Sequence, residues 1–239
     1  MPLTVAPSLS VTSVDWSGLD TILLDMDGTI LDLAFDNHFW GTVIPREWGL
    51  KRGLDTNTSQ QKLAPVFANE RGKLNWYCLD FWGDTLDLDI PAIKAQYADG
   101  IRWRPQAETF LRQLQASHLD VVLITNAHPL TLEMKAERLP IAQWFDKMIS
   151  SHDYGAPKET PAFWNALMGE RPFNPERTLF MDDSEHVLDS AKAFGVANLI
   201  TLRQPDSTVP LREVTRFPAI HHFDEISDCL LYTSPSPRD

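Results

Sequence analysis

The feature that most constrains the fold of this chain is a short run, Thr21–Leu24, that leads directly into Asp25 and Asp27. Four residues of this kind suit a strand that is buried on both faces, and Gly28 and Thr29 indicate a sharp turn after it. In an open parallel sheet, ligands bind at the carboxyl ends of the strands. The two carboxylates are therefore expected at the mouth of a site, where Mg²⁺, which prefers oxygen ligands, would offset their mutual repulsion.

Composition and charge restrict the classes of function. Hydrophobic residues make up 43% of the 239 residues, which is enough for one large domain or for a core with an insertion. The net charge of −12 disfavours nonspecific binding to nucleic acid or to an anionic membrane. Because the sequence has no signal-peptide pattern and no apolar run of about 18 residues, we expect a cytoplasmic protein. The presence of only two cysteines, Cys78 and Cys229, argues against a disulfide framework and against a cysteine zinc site.

Strands and helices are predicted to alternate from about residue 101 onward. The predicted strands are 120–126, 147–151, 177–183 and 196–202, and the predicted helices are 105–117, 131–138, 160–168 and 184–194. Ser184 is a candidate N-cap for the last helix, and Gly195 is its stop. Strands separated by helices at this spacing predict an α/β fold with a Rossmann-like, doubly wound parallel sheet.

Residues 32–100 differ from the rest in their sequence pattern, because they combine aromatic residues at helical spacings with no strand alternation. They predict an α-helical cap inserted into a core that consists of residues 20–31 and 101–228. Residues 1–19 are rich in Ser, Thr and Pro and predict a flexible leader, in which Val14 or Trp16 reaches the core.

The last eleven residues, 229–239, resemble one translated reading frame of a transposon adapter common in sequencing libraries. We expect this tail to be non-native and to replace the natural sequence after Asp228. A natural tail rich in Pro and Ser is the alternative. A clone that continues past Asp228 with different residues would confirm the adapter origin, so no functional prediction rests on these residues.

Candidate functional residues stand at or just after the ends of the predicted strands. In chain order they are Asp25, Asp27, Thr125, Asn126, Lys158, Asp182 and Asp183. Each is commonplace alone, but together they follow the order found in one family. The set, with Asp-x-Asp-Gly-Thr after an apolar strand, resembles the haloacid dehalogenase-like (HAD) hydrolases, most of which are Mg²⁺-dependent phosphatases with an inserted cap, here of the helical C1 type.

The resemblance implies a role for each residue. Asp25 would be the nucleophile that forms an aspartyl phosphate, and Asp27 would protonate the leaving oxygen and later deprotonate the attacking water. Thr125 and the backbone N–H of Asn126 would hold a phosphoryl oxygen. Lys158 would neutralise both the nucleophile and the phosphoryl group, although in this chain a proline precedes the lysine, whereas in the superfamily it commonly follows.

The same resemblance implies that Asp25, Asp183 and the backbone carbonyl of Asp27 hold Mg²⁺, with Asp182 beside them. Electrostatics supports this division independently. A phosphoryl group with charged oxygens is repelled by a carboxylate, so a metal ion and a lysine must bring the site close to neutrality.

Several segments further resemble the bacterial GMP/IMP nucleotidase subgroup of this family. They are residues 31–40, 44–49, 74–80, 125–129 and 155–158. This resemblance, over about residues 20–202, implies hydrolysis of purine 5′-nucleoside monophosphates. An Arg or Asn can read the polar edge of a base while an aromatic ring covers its face. The candidate substrate contacts are Asn37, Trp40, Arg46, Asn75, Trp76, Tyr77 and His128. The alternatives are that the aromatics form the cap's own core and that His128 is structural.

Other functions stay open at this point. A phosphatase or phosphomutase for a small sugar phosphate would share Asp25 and Asp27, whereas a dehalogenase of this fold normally lacks the second acid. A noncatalytic phosphate-binding module predicts loss of a site residue, and all are present. We expect a small phosphomonoester as the partner, with no nucleic acid polymer and no membrane, and a monomer or weak homodimer.

Overall fold

The computed structural model describes Val14, residues 16–214 and residues 216–231, with side chains as far as Ser227. Most of the predicted leader and residues 232–239 of the predicted tail lie outside the described residues. The strands are β1 (Thr21–Leu24), β2 (Asp120–Thr125), β3 (Lys147–Ser150), β4 (Thr178–Met181), β5 (Asn198–Leu202) and β6 (Ala219–Ile220). The α-helices are α1 (Ala34–His38), α2 (Ile44–Leu50), α3 (Thr56–Glu70), α4 (Leu79–Leu86), α5 (Ile90–Gln96), α6 (Ala107–Gln115), α7 (Pro129–Arg138), α8 (Pro161–Glu170), α9 (Glu185–Phe194) and α10 (Asp224–Leu231).

These strands form one parallel sheet in the order β3-β2-β1-β4-β5-β6. β1 pairs with β2 on one side and with β4 on the other, so Leu24 stands beside both Leu123 and Met181. The predicted Rossmann-like α/β fold is confirmed. One strand, β6, was not predicted, because two residues are too short to show a periodicity.

The sheet is buried on both faces because its apolar side chains alternate between two clusters. Ile22 and Leu24 of β1 face one cluster, in which α6 and α10 pack, whereas Leu23 faces the other, which α8 and α9 cover. Val14 and Trp16 pack into the first of these clusters, as predicted for the end of the leader. The strand ends are therefore the places where polar side chains emerge from the core.

Several predicted helix and strand ends differ from those observed by one or two residues. The predicted strand 177–183 ends at Met181, so that Asp182 and Asp183 lie in the turn after β4. Ser184 occupies the N-cap position of α9, but its side chain makes no capping hydrogen bond. Gly195 ends α9 as predicted, with a φ of +114° that favours glycine.

The segment between β1 and α6 is helical and has a hydrophobic cluster of its own, built around Phe39 and Trp82. A π-helical turn, Phe39–Val43, joins α1 and α2 into one continuous helix. The two connections to the sheet lie side by side, since Asp32 donates its backbone N–H to the carbonyl of Arg102 at 2.9 Å. The predicted domain boundaries stay a prediction, which this separate cluster supports. No helix in the described part of the chain is long and apolar enough to cross a membrane.

Candidate active site

The carboxyl ends of β1, β2 and β4 bring the predicted catalytic residues together around a buried lysine. Lys158 precedes α8, and its Nζ lies 2.6 Å from Asp25 Oδ1 and 2.7 Å from Asp182 Oδ2. The same Nζ donates to the carbonyl of Ile124 at 3.1 Å. The lysine is only 2% exposed. Burial alone would lower the pKa of Lys158, but the two carboxylates outweigh burial and raise it, so the side chain stays charged.

Negative charge exceeds positive charge at this point. Desolvation, the largest effect, and the neighbouring Asp25 together raise the pKa of Asp183 to about 7. Desolvation also raises the pKa of Asp182 well above its ordinary value, even though Lys158 opposes the shift. Three carboxylates thus face one ammonium group, so the cluster holds more acidic groups than the ammonium can balance.

A divalent cation fits this excess of charge. One carboxylate oxygen each of Asp25, Asp182 and Asp183 lies within 4.8 Å of the others, and such hard oxygen donors are those that Mg²⁺ prefers. Gly28 permits the close approach of the motif to these acids. Its φ is +87°, and a Cβ atom there would stand 2.7 Å from Asp183 Cγ. The Thr29 hydroxyl accepts the backbone N–H of Asp183 at 3.1 Å, which fixes the third carboxylate beside the first motif.

The side chain of Asp27 belongs to a second buried network, which sequence reasoning missed. Lys135 on α7 donates to Asp27 Oδ1 at 2.5 Å and to Asp36 Oδ2 at 2.5 Å. Lys94 on α5 donates to Asp36 Oδ1 at 2.7 Å. Burial raises the pKa of Asp27 to about 6, against the opposing charge of Lys135. The carboxylate of Asp27 is therefore not grouped with those of Asp25, Asp182 and Asp183. It is held by Lys135, which also binds Asp36 of the inserted helices. A metal role for Asp27 rests on its backbone carbonyl and stays a prediction.

Thr125 and Asn126 use their side chains to shape the loops around the phosphate position. Thr125 Oγ1 accepts the backbone N–H of Ala127 at 3.0 Å. Asn126 Oδ1 accepts the backbone N–H of Lys158 at 2.9 Å, and its Nδ2 donates to Glu159 Oε2 at 2.9 Å. Glu159 also accepts the hydroxyl of Tyr77 at 2.7 Å, which ties the inserted segment to the lysine loop.

One cavity of about 670 Å³ joins the acids to the inserted helices, a size typical of small-molecule sites. The predicted residues that line it are Asp25, Asp27, Asn37, Trp40, Trp76, Tyr77, Thr125, Asn126, His128, Lys158, Asp182 and Asp183. Lining residues that were not predicted include Asp36, Phe67, Arg71 and Lys94. Phe67 occurs in a helical run, and Arg71 stands in a short polar segment beside Lys73, so neither carries a sequence signal that separates it from packing or solvation.

Two predicted substrate contacts, Arg46 and Asn75, do not line this cavity. Arg46 pairs with Glu47 and donates to the hydroxyl of Tyr97. Asn75 Nδ2 donates to Glu70 Oε2 at 3.3 Å. Both side chains therefore form hydrogen bonds within the inserted segment, and neither belongs to the site that we describe.

The aromatic residues of the inserted segment divide between packing and the cavity wall. Trp82 is 1% exposed and donates its Nε1 to the carbonyl of Trp76 at 2.9 Å, so it belongs to the interior. Trp40 and Trp76 line the cavity, and Phe67 stands between them with edge-to-face ring contacts of 6.3 Å to each. Such pairs hold each other in place, which gives the cavity a firm apolar wall.

Comparisons with known proteins agree with this geometry. Residues 19–195 match the family model of the haloacid dehalogenase-like hydrolases. Over 219 residues the chain is 37% identical to GMP/IMP nucleotidase YrfG from Escherichia coli K12. The matched region covers 92% of this chain and 99% of that protein. The protein of the same name from Shigella flexneri matches equally.

Solved structures share the fold at low sequence identity. A HAD phosphatase from Thermococcus onnurineus has a TM-score of 0.72 at 18% identity, over 89% of this chain and 98% of that one. The magnesium-bound HAD-hydrolase YfnB from Bacillus subtilis has a TM-score of 0.62 at 18% identity, over 89% of this chain and 98% of that one.

Proposed function

This chain belongs to the haloacid dehalogenase-like hydrolase family and is a phosphoric monoester hydrolase, and on that premise we propose that it hydrolyses purine 5′-nucleoside monophosphates, GMP and IMP above others, with Mg²⁺. The observation that carries the proposal is one continuous cavity, which has Asp25 and Lys158 at one end and an aromatic wall at the other. A bare phosphoryl group needs only the first end. The second end offers a flat apolar surface for a base.

The chemistry assigned to the acids follows from their surroundings. An oxygen of Asp25 attacks phosphorus, the bond from phosphorus to the ester oxygen breaks, and Asp27 gives that oxygen its proton. With a pKa of about 6, Asp27 can both hold and release a proton near neutral pH. Asp27 then takes a proton from water, whose oxygen attacks phosphorus and releases phosphate from Asp25.

The remaining residues oppose the build-up of negative charge. Lys158 is already hydrogen-bonded to Asp25 and stays charged, so it lowers the repulsion between that carboxylate and the phosphoryl oxygens. Asp25, Asp182 and Asp183 would hold Mg²⁺, which supplies further positive charge when bound. The Thr125 hydroxyl and the backbone N–H of Asn126 orient the phosphoryl group.

Base selection rests on the aromatic wall and on Arg71. The guanidinium carbon of Arg71 lies 5.8 Å from the centre of the Trp76 ring, beside the proposed base surface. Guanine and hypoxanthine both carry a 6-oxo oxygen, which accepts a hydrogen bond, whereas adenine carries an amino group there. A donor such as Arg71 therefore favours GMP and IMP over AMP.

The proposal is tested by phosphate release from GMP, IMP, AMP, a pyrimidine monophosphate and several sugar phosphates, each with and without Mg²⁺. We expect Mg²⁺-dependent turnover that favours GMP and IMP and is lost in Asp25→Asn. Turnover on sugar phosphates alone would keep the hydrolase chemistry but contradict the nucleotide assignment. No turnover by the folded wild-type chain on any of these substrates would contradict both.

A further inference from the structure

Three potential metal ligands of a different kind meet where the inserted segment touches the core. One ligand atom each of Cys78, His128 and His152 lies within 4.8 Å of the others, and all three residues are half-buried. Cys78 immediately precedes α4 of the inserted segment, whereas His128 and His152 come from the loops after β2 and β3. We propose that these residues bind Zn²⁺ and that the bound ion ties the inserted segment to the core.

His152 is already oriented as a ligand. Its Nε2 is buried and has no hydrogen-bond partner. A neutral imidazole with its proton on Nδ1 offers a lone pair on Nε2, which is the form in which a histidine binds a metal. A buried, unpaired acceptor is unfavourable unless something binds it, and a cation would do so.

His128 and a neighbouring acid extend the set. The His128 ring centre lies 5.0 Å from that of His152, and its Nε2 lies 3.6 Å from Asp80 Oδ2. Its Nδ1 accepts the Leu130 backbone N–H at 3.4 Å, a long bond whose loss would be a small penalty when the proton moves to Nδ1. The side chain of Asp80 is 75% exposed and free to turn toward a metal.

The donor set selects the ion. One thiolate, two imidazoles and one carboxylate or water give four ligands, the number that Zn²⁺ prefers, and sulfur and nitrogen disfavour Mg²⁺. With Asp80 as fourth ligand the two negative charges balance the ion. The oxygen trio of Asp25, Asp182 and Asp183 is chemically distinct, so the two sites would take different metals.

The position of the cluster gives binding a consequence. His128 lines the substrate cavity, and Cys78 directly follows Tyr77, which also lines it. An ion held by ligands from both sides would resist separation of the inserted segment from the core, which substrate entry and product exit require. We therefore expect Zn²⁺ at this site to inhibit turnover; this consequence rests on the proposed function, whereas the binding itself does not.

Binding is measured first, by titrating Co²⁺ into the reduced full-length Cys229→Ser chain with Mg²⁺ in excess. Because Cys78 is then the only cysteine, a thiolate-to-Co²⁺ charge-transfer band reports on it alone. We expect one Co²⁺ per chain, displaced by Zn²⁺, and loss of the band in Cys78→Ser. His152→Gln should weaken binding at least about tenfold. The exposed His118 supplies the matched control, His118→Gln, which should leave binding unchanged. No band in the Cys229→Ser chain, or unchanged affinity in His152→Gln, would overturn the proposal.

Turnover on GMP is measured next, with one equivalent of Zn²⁺. Inhibition in the Cys229→Ser chain that is relieved in the additional Cys78→Ser variant would support the tie between segment and core. Equal inhibition in both would place the inhibitory zinc at the carboxylates and overturn the tie. Because the Co²⁺ band does not depend on turnover, failure of the nucleotidase assignment and failure of the zinc site give different results.

Discussion

The two walls of the cavity are built on different principles. On the core side, Asp25, Lys158 and Asp182 form buried hydrogen bonds of 2.6–2.7 Å between opposite charges. On the side of the inserted helices, Trp40, Phe67 and Trp76 hold one another through ring contacts. In the proposed function, the charged wall acts on any phosphoryl group, whereas the aromatic wall meets the part of a substrate that distinguishes one ester from another.

The proposed function therefore makes chemistry and substrate selection separable in this molecule. Changes to the charged wall should reduce turnover of all substrates alike. Changes to the aromatic wall should alter the ratio between substrates and leave phosphoryl chemistry intact. The Lys135 network lies between the two walls, because it joins Asp27 of the first motif to Asp36 of the inserted helices.

The largest effect is expected for Lys158→Met. Removing the ammonium leaves Asp25 and Asp182 buried and uncompensated, so we expect kcat/KM to fall roughly 10³-fold or more on every substrate. The free energy of unfolding at neutral pH without Mg²⁺ should fall by about 3–5 kcal/mol. Phosphate-release kinetics and urea unfolding measure the two effects. The half-exposed Lys147 supplies the control, Lys147→Met, which should change neither. A loss confined to purine nucleotides would break the comparison, because it would assign selection to the charged wall.

Lys135→Met tests the residue that joins the two walls. Because Lys135 lowers the pKa of Asp27, its loss should raise that pKa above about 6. The descending limb of the pH profile of kcat/KM, where Asp27 loses the proton it must donate, should therefore move to higher pH. Because the carboxylate of Asp27 is held less firmly without Lys135, kcat should fall by on the order of 10²-fold.

The exposed Lys62 supplies the control for that experiment, Lys62→Met, which should leave the pH profile in place. A purely structural lysine would change the free energy of unfolding and not the profile. An unmoved descending limb in Lys135→Met would therefore contradict the positioning role.

The metal-free chain should lose stability as pH rises. Folding raises the pKa values of Asp27 and Asp183 from 3.8 to about 6 and about 7, so their contribution is fully present below about pH 4 and is lost as pH rises through 6 to 7. We expect the free energy of unfolding without Mg²⁺ to fall by roughly 4 kcal/mol between pH 5 and pH 8.

Mg²⁺ should reduce this fall, because it binds the ionised carboxylates of the folded state. Urea unfolding at several pH values, with and without Mg²⁺, measures both terms. Asp183→Asn should remove much of the pH dependence. A metal-free stability that stays level from pH 5 to pH 8 would contradict the excess of negative charge on the core wall.

The smallest effect is expected on the aromatic side. Arg71→Ala should lower kcat/KM for GMP and IMP about tenfold, since one hydrogen bond to the 6-oxo oxygen is lost, and should leave AMP unchanged. Arg46→Ala is its matched control, because Arg46 is paired inside the inserted segment and does not line the cavity. Parallel kinetics on the three nucleotides measure the ratio. An equal loss on AMP would remove Arg71 from base selection.

Part of this architecture could be predicted from sequence because its determinants are local. Thr21–Leu24 is an apolar run that can only be buried, and the strand has those bounds. In a parallel sheet, the ends of such runs meet at one edge. Asp25, Thr125, Lys158 and Asp182 were therefore predicted as neighbours from residue type, strand order and the family resemblance, and the structure places them together.

The remaining features depend on contacts between distant segments. Lys135 reaches Asp27 across 108 positions, and nothing in its own helix distinguishes it from a solvated lysine. Arg46 lies within α2 and Arg71 directly follows α3, and of these two arginines only Arg71 lines the cavity. The sequence by itself determined the sheet and the charged residues at its edge, because periodicity and strand order suffice for them. Only the tertiary structure decided which lysine binds Asp27 and which arginine lines the cavity, because these choices depend on how the inserted helices pack against the core.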